Sequence, residues 1–278
     1  MSGSRLRLAS FNILHGRSLA AGPMSPDLLA DACASTGADV LCLQEVDRGQ
    51  PRSGSVDQTA AIARRMGATD WRFEPALVGE PGGRWHAATE GDGDLDGPAP
   101  AEPGYGVAVV SRVPVRTWHV VRLAAAPVRS PVVVPGGRGR FVLLPDEPRV
   151  ALAAVVDGPR GPMAVVCTHL SFVPGWNARQ LTLLLREVAS LAPGVVVAGD
   201  LNLPGPPVRL LARSMGWLPL VRAVTFPAGR PWLQIDHALA RGDVGSVAAW
   251  STPLLPVSDH LAMVVDLAAA DGKGRAAK

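Results

Sequence analysis

Apolar residues in this chain of 278 residues fall into short runs whose spacing alternates between strand-like and helix-like. Alternating positions predict a strand over residues 6–12, and a continuous apolar run predicts a buried strand over 38–45. Helices are predicted over 26–36 and 56–66, since each begins near a capping residue and is followed by a glycine. This order of strand, helix, strand, helix is typical of layered α/β proteins.

The rest of the chain continues the pattern after a long interruption. Residues 79–104 are rich in Gly, Pro and Asp and predict a long surface loop. Leucines at helical spacing predict an amphipathic helix over 176–191. Further strands are predicted at 106–111, 149–156, 162–169, 194–199, 233–239 and 261–267. We expect one domain over 1–270 and a disordered tail over 271–278.

Composition is typical of a globular protein, because 47% of the residues are hydrophobic and 18% are charged. The net charge of +3 is too small to demonstrate nucleic-acid binding. Most of the positive charge is arginine, which suits phosphate recognition but also follows from a GC-rich coding sequence. The three cysteines, Cys33, Cys42 and Cys167, lie in apolar contexts and predict buried reduced thiols. With no apolar stretch near the roughly 18 residues that span a bilayer, and no signal-like apolar core, we expect a cytoplasmic protein.

The segment Val197-Ala198-Gly199-Asp200-Leu201-Asn202 carries an apolar run into a carboxylate and an amide. Alternation along a strand puts Asp200 and Asn202 on the same side, where both can reach one ligand. The same residue types also form ordinary turns, so this segment alone is a weak signal.

Five other segments also place a polar group at the end of an apolar run: Ser10-Phe11-Asn12, Leu43-Gln44-Glu45, Thr168-His169-Leu170, Gln234-Ile235-Asp236 and Ser258-Asp259-His260. Carboxylates at the ends of buried strands are costly to dehydrate unless something compensates their charge. A divalent cation is one such compensation, and Mg²⁺ needs only one or two protein carboxylates. Glu45 is the best candidate ligand, followed by Asn12 and Asp259.

These six motifs, in this order, resemble the endonuclease/exonuclease/phosphatase superfamily. Its members include pancreatic-type deoxyribonucleases, abasic-site endonucleases, neutral sphingomyelinases and inositol polyphosphate 5-phosphatases. The resemblance covers most of the chain and implies an α/β (α+β) fold, a four-layer α-β-β-α sandwich of two mixed β-sheets flanked by helices. It also implies a metal-dependent hydrolase in which water attacks a phosphoester.

The resemblance further implies a role for each matching residue. The metal pocket corresponds to Asn12, Glu45 and Asp259, with Glu45 as the direct ligand. The catalytic set corresponds to His169, Asp200, Asn202, Asp236 and His260.

Within the catalytic set, His260 resembles the catalytic histidine, and Asp236 would hold its ring. Asp200 and Asn202 would contact the scissile phosphate. His169 would stabilise charge on the phosphate or protonate the leaving oxygen. The sequence does not decide whether His260 or Asp200 activates the water.

Two further residues are candidate substrate contacts. Tyr105 precedes Gly106 in a segment that resembles the one bringing a polar group to the phosphate, although Val107 stands where many relatives carry Asn. Arg52 lies in a loop after the Glu45 strand that could read substrate, and a solvated loop is the alternative.

We therefore expect a Mg²⁺-dependent phosphodiesterase (with Mn²⁺ as a possible substitute), acting on nucleic acid as a nuclease. The alternative is a lipid or inositol-phosphate phosphodiesterase or phosphatase of the same fold. A different class is a non-catalytic module that binds phosphate or nucleic acid. Such a module would have lost some of the catalytic residues, and none is missing.

Overall fold

Two β-sheets packed face to face form the framework of the protein. A computed structural model describes residues 5–18, 20, 22–93, 102–133 and 141–269. In chain order the elements of the first half are β1 (Arg5–Asn12), β2 (Arg17–Ser18), β3 (Gly22–Pro23), α1 (Pro26–Ala34), β4 (Val40–Arg48), α2 (Gln58–Met66), β5 (Asp70–Gly79), β6 (Trp85–Ala87), β7 (Gly104–Ser111) and β8 (Val115–Leu123). Those of the second half are β9 (Arg129–Val133), β10 (Phe141–Pro145), β11 (Arg149–Gly158), β12 (Gly161–His169), α3 (Trp176–Glu187), β13 (Gly194–Asp200), α4 (Gly205–Ser214), β14 (Leu218–Pro219), β15 (Asp236–Gly242), β16 (Ser246–Ser251) and β17 (Met263–Ala268).

Both large sheets are mixed. The first has the strand order β16-β17-β1-β4-β7-β5-β6, and the second has the order β14-β15-β13-β12-β11-β8. In the first sheet β1 and β4 run parallel, and in the second β12 and β13 run parallel. The other neighbours within these two sheets are antiparallel.

Alternation along the strands sorts the apolar side chains into separate layers. On β1, Leu6 and Leu8 join the core between the two sheets, whereas Ala9 and Phe11 join the cluster beneath α1 and α2. A third cluster lies between the second sheet and the helices α3 and α4. Full burial of one large apolar side chain contributes roughly 1.5–3 kcal/mol. The layers are helix, sheet, sheet, helix, which confirms the predicted sandwich.

The helix boundaries follow from local capping. The Ser25 hydroxyl accepts a hydrogen bond from the N–H of Leu28 at 3.3 Å and caps α1. The Asp57 carboxylate accepts one from the N–H of Ala60 at 2.8 Å and caps α2. Gly67, in the left-handed conformation with φ of 65°, ends α2 as predicted. The helix predicted over 176–191 is α3 followed by a short 3-10 turn, Val188–Ser190.

Some elements were not predicted from the sequence. The strands β5, β8 and β16 and the helix α4 are absent from the predicted pattern. Within the predicted loop 79–104, residues 85–87 form β6 and pair with β5, so that part of the loop prediction is wrong. Residues 94–101 and the predicted tail 271–278 lie outside the described residues. None of the described helices combines the length and apolar character needed to span a bilayer.

Candidate active site

Three of the predicted site residues stand side by side at one edge of the second sheet. His169, Asp200 and Asp236 are register partners on β12, β13 and β15. β12 ends at His169 and β13 at Asp200, whereas the antiparallel β15 begins at Asp236. Because paired strands lie about 4.8 Å apart, the sheet itself brings these side chains to one place.

The first sheet contributes Asn12 and Glu45, the latter through a bulge. Asn12 is the last residue of β1 and pairs with Gln44 of β4. The register of β4 against β7 shifts between Leu43 and Val46, which leaves Gln44 and Glu45 without regular partners on β7. Glu45 has a φ of 56°, in the left-handed region. The bulge places Glu45 in the lining of the cleft that also contains the residues of the second sheet.

The Asp200 carboxylate is the centre of the site. Its Oδ2 accepts a hydrogen bond from Asn12 Nδ2 at 3.2 Å and lies 3.6 Å from His169 Nε2 and 3.7 Å from His260 Nε2. Its Oδ1 accepts a bond from the N–H of Asn202 at 2.9 Å. Burial raises the pKa of Asp200 to about 7, while the charge of His260 acts to lower it. A carboxyl group with such a pKa is suited to exchange a proton at neutral pH.

A buried carboxylate holds the ring of His260. The Nδ1 atom of His260 lies 2.9 Å from Asp236 Oδ2, and this oxygen also accepts a hydrogen bond from the Thr225 hydroxyl. Burial acts to lower the pKa of His260, but the charge and hydrogen bond of Asp236 raise it to about 10. The ring is therefore positively charged at neutral pH, with Nε2 on the side of Asp200. This contact is the one that the predicted orienting role of Asp236 requires.

His169 is held as a neutral ring. Asn202 Nδ2 lies 3.1 Å from His169 Nε2 and also donates to the Leu170 carbonyl at 3.0 Å. Burial and the charge of Arg149 lower the pKa of His169 to about 3. A neutral imidazole can form hydrogen bonds but carries no spare proton, so the arrangement favours contact with the phosphate over protonation of the leaving oxygen.

The oxygen atoms around Glu45 fit a divalent cation. One carboxylate oxygen of Glu45 accepts a hydrogen bond from Asn12 Nδ2 at 3.0 Å, and the other lies 3.8 Å from His15 Nδ1. Burial acts to raise the pKa of Glu45, but the His15 contact and the Asn12 hydrogen bond contribute to lowering it to about 2. Asp259 lines the same cleft, and burial together with the Glu45 charge raises its pKa. These two acidic groups disfavour each other's charge, and a cation between them relieves that repulsion.

Asn12 joins the carboxylates of Glu45 and Asp200 through its amide nitrogen. Its amide oxygen accepts a backbone N–H two residues further on, so in this arrangement Asn12 holds the two carboxylates in place. Among the described residues, Asp200, Asp236 and His260 also bring potential ligand atoms within 4.8 Å of one another. Because Asp236 and His260 are already paired, the all-oxygen side at Glu45 fits a hard cation better.

Of the two predicted substrate contacts, Tyr105 lines the cleft and Arg52 does not. Arg52 forms a two-point ion pair with the buried Asp47, at 2.9 and 2.7 Å. Its guanidinium lies 5.1 Å from the centroid of the Tyr105 ring. Burial and the charges of Glu45 and Glu147 raise the pKa of Tyr105 well above its usual value, so its hydroxyl is a neutral hydrogen-bond donor. The structure therefore places Arg52 behind Tyr105 rather than in contact with the cleft.

Two residues that the sequence patterns missed complete the polar side of the cleft, Glu147 and Arg149. The Arg149 side chain is 6% exposed, and its nearest carboxylate oxygens lie 3.8 Å away on Asp146 and 4.0 Å away on Glu147. Its buried Nε has no hydrogen-bond partner within the described part of the chain. A buried, poorly paired guanidinium in a cleft wall is suited to an anionic ligand. The sequence signal that could have identified these two residues is the charged cluster at 146–149. It precedes the apolar run 150–156, whereas the motifs that were recognised follow their apolar runs.

The cleft has a volume of about 530 Å³. The rest of its lining is apolar and consists of Phe172, Pro204, Phe226, Leu233 and Ile235. The Phe226 ring centroid lies 4.9 Å from that of His260, so the apolar lining begins directly beside His260.

Comparisons with known proteins agree with this fold. The sequence matches the model of the endonuclease/exonuclease/phosphatase family over residues 9–260. None of the curated proteins matches the sequence. A crystal structure of an endonuclease/exonuclease/phosphatase from Beutenbergia cavernae has 25% identity and a TM-score of 0.65, covering 95% of this chain and 72% of the other.

Two more distant structures share the fold. Sphingomyelinase C from Streptomyces griseocarneus has 17% identity and a TM-score of 0.58, covering 95% of this chain and 99% of the other. A mannosyl-6-phosphatase from Bacteroides thetaiotaomicron has 14% identity and a TM-score of 0.60, covering 94% and 98%. The family match spans nearly the whole chain and includes all six motifs. The chain therefore belongs to the endonuclease/exonuclease/phosphatase family of metal-dependent phosphoester hydrolases.

Proposed function

We propose that this chain is a Mg²⁺-dependent phosphodiesterase whose reaction takes place at Asp200. The observation that carries the proposal is the convergence of polar side chains from both sheets on the Asp200 carboxylate, inside a cleft. Glu45 and Asp259 would hold a divalent cation, which would supply Lewis-acid activation of a phosphate oxygen and of water. Mg²⁺ suits this all-oxygen set, and Mn²⁺ is the expected substitute.

The residues of the chain bind the phosphate from the polar side of the cleft. Arg149 supplies a positively charged donor, and the neutral His169 ring and the Asn202 amide lie beside Asp200. The Tyr105 hydroxyl is a further donor from the same side. Donors fixed in advance stabilise the negative charge that develops on the phosphate during attack.

Asp200 takes up the proton of the attacking water, because the His260 ring beside it is already protonated at neutral pH. Asp236 fixes the His260 ring through Nδ1, which leaves Nε2 3.7 Å from Asp200 Oδ2. Positioned acid–base groups of this kind typically contribute about 10²–10⁴-fold to the rate.

Two substrate classes compete within this proposal. Nucleic acid is the class predicted from the sequence, on the basis of the resemblance and the arginine excess. The lining of the cleft contains a single arginine among the described residues, Arg149, but four acidic residues, Glu45, Glu147, Asp200 and Asp259. Arg149, the charged His260 ring and a bound divalent cation together about balance these four carboxylates, so the lining has no excess of positive charge. This balance favours the second candidate, a lipid-like phosphoester with one phosphate group, over a polyanionic strand.

We also propose a cytoplasmic location for the enzyme. Cys33, Cys42 and Cys167 are all free and buried, and burial raises the pKa of the Cys33 thiol to about 12. Reduced thiols in this state agree with a reducing compartment.

The decisive experiment compares four substrates side by side, each with Mg²⁺ and with chelator: plasmid, abasic oligonucleotide, sphingomyelin and an inositol phosphate. We expect Mg²⁺-dependent hydrolysis that is lost in Asp200→Asn and His260→Ala. Asp243→Asn is the matched control, because Asp243 is exposed and pairs with Arg160 far from the site. Full activity in both site variants would contradict the assigned roles, and cleavage confined to the DNA substrates would decide against the lipid-like class.

A further inference from the structure

The apolar side of the cleft is built from the same segments that carry the catalytic groups. We call it the apolar wall and define it as Phe172, Pro204, Phe226, Leu233 and Ile235. Phe226 and Leu233 form an isolated β-bridge, with hydrogen bonds of 3.1 and 2.9 Å between their backbone groups. This small hairpin gives the wall a fixed shape.

Hydrogen bonds fasten the hairpin to the loop that carries Asp259 and His260. The N–H of Ala228 donates to the Asp259 carbonyl at 2.6 Å, and the N–H of Leu261 donates to the Thr225 carbonyl at 2.8 Å. The position of the wall relative to the phosphate site is therefore set by the backbone and does not depend on a mobile lid.

The hairpin that carries Phe226 and Leu233 also carries an exposed tryptophan, Trp232. Trp232 is next to Leu233 in the chain, and its N–H donates to the Phe226 carbonyl at 3.0 Å. Its side chain is 69% exposed. Trp232 therefore adds exposed aromatic surface to the hairpin that carries Phe226 and Leu233, and an apolar substituent can pack against such a surface.

The charged residues of the cleft favour a small phosphodiester over a nucleic-acid strand. Nucleic-acid strands need basic side chains along their path, whereas the described lining offers one arginine and four acidic residues. A substrate with one phosphate and one apolar substituent matches both sides of the cleft. Its phosphate fits the polar side at Arg149, and its substituent lies along the wall from Phe226 to Trp232.

We infer that the apolar wall binds an apolar substituent of the substrate phosphate, so the enzyme prefers amphiphilic phosphodiesters. This inference rests on the proposed phosphodiesterase function. The wall has room for alkyl and aryl groups alike, and the experiment distinguishes them.

The test uses p-nitrophenyl phosphodiesters whose second substituent is methyl, hexyl or phenyl, at concentrations below micelle formation. Each methylene that the wall buries raises kcat/KM about fourfold, so burial of about three methylenes makes the hexyl ester about 60-fold better than the methyl ester. The p-nitrophenyl ester of thymidine 5′-phosphate is included to represent nucleic acid. Release of p-nitrophenol is followed in the presence of Mg²⁺.

Variants of the wall connect the preference to the structure. Leu233→Ala and Trp232→Ala should each lower the ratio of hexyl to methyl kcat/KM several-fold. Trp250→Ala is the matched control, since Trp250 is a half-exposed tryptophan on the edge strand β16 and does not line the cleft. That control should leave the ratio unchanged.

A binding measurement tests the apolar wall without requiring that the enzyme hydrolyse the ligand. Hexylphosphonate and methylphosphonate carry no scissile ester bond, and calorimetry should show tighter binding of the hexyl compound, with the difference reduced in Leu233→Ala. Equal binding of the two phosphonates, or a preference for the thymidine ester over the hexyl and phenyl esters, would overturn the inference. If no ester is hydrolysed while hexylphosphonate still binds preferentially, the proposed function fails and the apolar subsite remains.

Discussion

Arg149 offers the sharpest test of how this cleft binds a phosphate. Its side chain is buried, and its closest carboxylate oxygens, at 3.8 and 4.0 Å, are beyond hydrogen-bond distance. A phosphate oxygen would provide the charge-assisted hydrogen bond that Arg149 Nε lacks among the described residues. Such a bond contributes about 2–3 kcal/mol, so Arg149→Met should lower kcat/KM by about 30- to 150-fold.

The conservative variant separates charge from geometry. Arg149→Lys keeps the positive charge but loses the planar fork that matches phosphate, so we expect a smaller loss, about 5- to 10-fold. Arg160→Met is the matched control, because Arg160 is partly exposed and pairs with Asp243 at 3.0 Å near the start of β12, the end opposite the site. The assay is steady-state hydrolysis of a p-nitrophenyl phosphodiester with saturating Mg²⁺, and thermal unfolding of each variant is measured in parallel.

The outcome that refutes this reasoning is a folded Arg149→Met protein whose kcat/KM stays within about threefold of the wild type. In that case Arg149 serves only to offset the charges of Asp146 and Glu147. If Arg149→Met does not fold, the role of Arg149 is tested with Arg149→Lys alone. That variant keeps the positive charge beside Asp146 and Glu147 and should still show the smaller loss of activity.

Three further predictions concern the cation, the pH dependence of stability and the packing of the central strands. Chelator should abolish activity and Mg²⁺ should restore it, and Glu45→Gln should raise the Mg²⁺ concentration needed for half-maximal activity at least about tenfold, which a Mg²⁺ titration measures. Burial lowers the pKa of His237 from 6.5 to about 4, so the unfolded chain takes up a proton first as the pH falls. The contribution of neutral His237 to the free energy of unfolding is fully present above pH 6.5. It falls by about 3 kcal/mol as the pH decreases to 4. Denaturant unfolding between pH 7 and 4 should show this loss, and a His237→Gln variant with an unchanged pH slope would contradict it. A Cβ at Gly199 would lie 1.9 Å from the Thr168 carbonyl oxygen, so Gly199→Ala should destabilise the protein by more than about 3 kcal/mol, and an unchanged melting temperature would show that β12 and β13 can separate there.

Much of the fold could be predicted because its central strands are buried on both faces. β4 and β13 read as continuous apolar runs, and both are almost wholly buried. The edge strands β8 and β16 have mostly partly or fully exposed side chains, so tertiary pairing and not the apolar pattern decides their conformation. Helix α4 begins at Gly205-Pro206-Pro207, a sequence that also indicates a turn.

The sequence identified those cleft residues that stand at the end of an apolar run. Asp200 and His169 were found in this way because the end of a buried strand is where a polar side chain meets the cleft. Arg149 was missed because it begins β11, and Arg52 was misplaced because its ion pair with Asp47 could not be read from the sequence. The apolar wall comes from scattered loop residues with no common period, so only the fold brings it together.

Backbone conformation explains why motif positions did not reveal the geometry of the site. Glu45, Asn202 and Ser258 have φ values of 56°, 50° and 76°, a region that costs a residue with a side chain about 1–3 kcal/mol. Each makes a hydrogen bond at the cleft: Glu45 accepts one from Asn12 Nδ2, Asn202 donates its N–H to Asp200 Oδ1, and the Ser258 hydroxyl donates to the Asn12 carbonyl and accepts the N–H of His260. Glycine at these positions would relieve the strain but remove the carboxylate, the amide and the hydroxyl from the cleft. Three of the six described non-glycine residues with positive φ therefore lie at the cleft, and local sequence rules fail at these positions because the polar side chain there is needed for the contacts of the site.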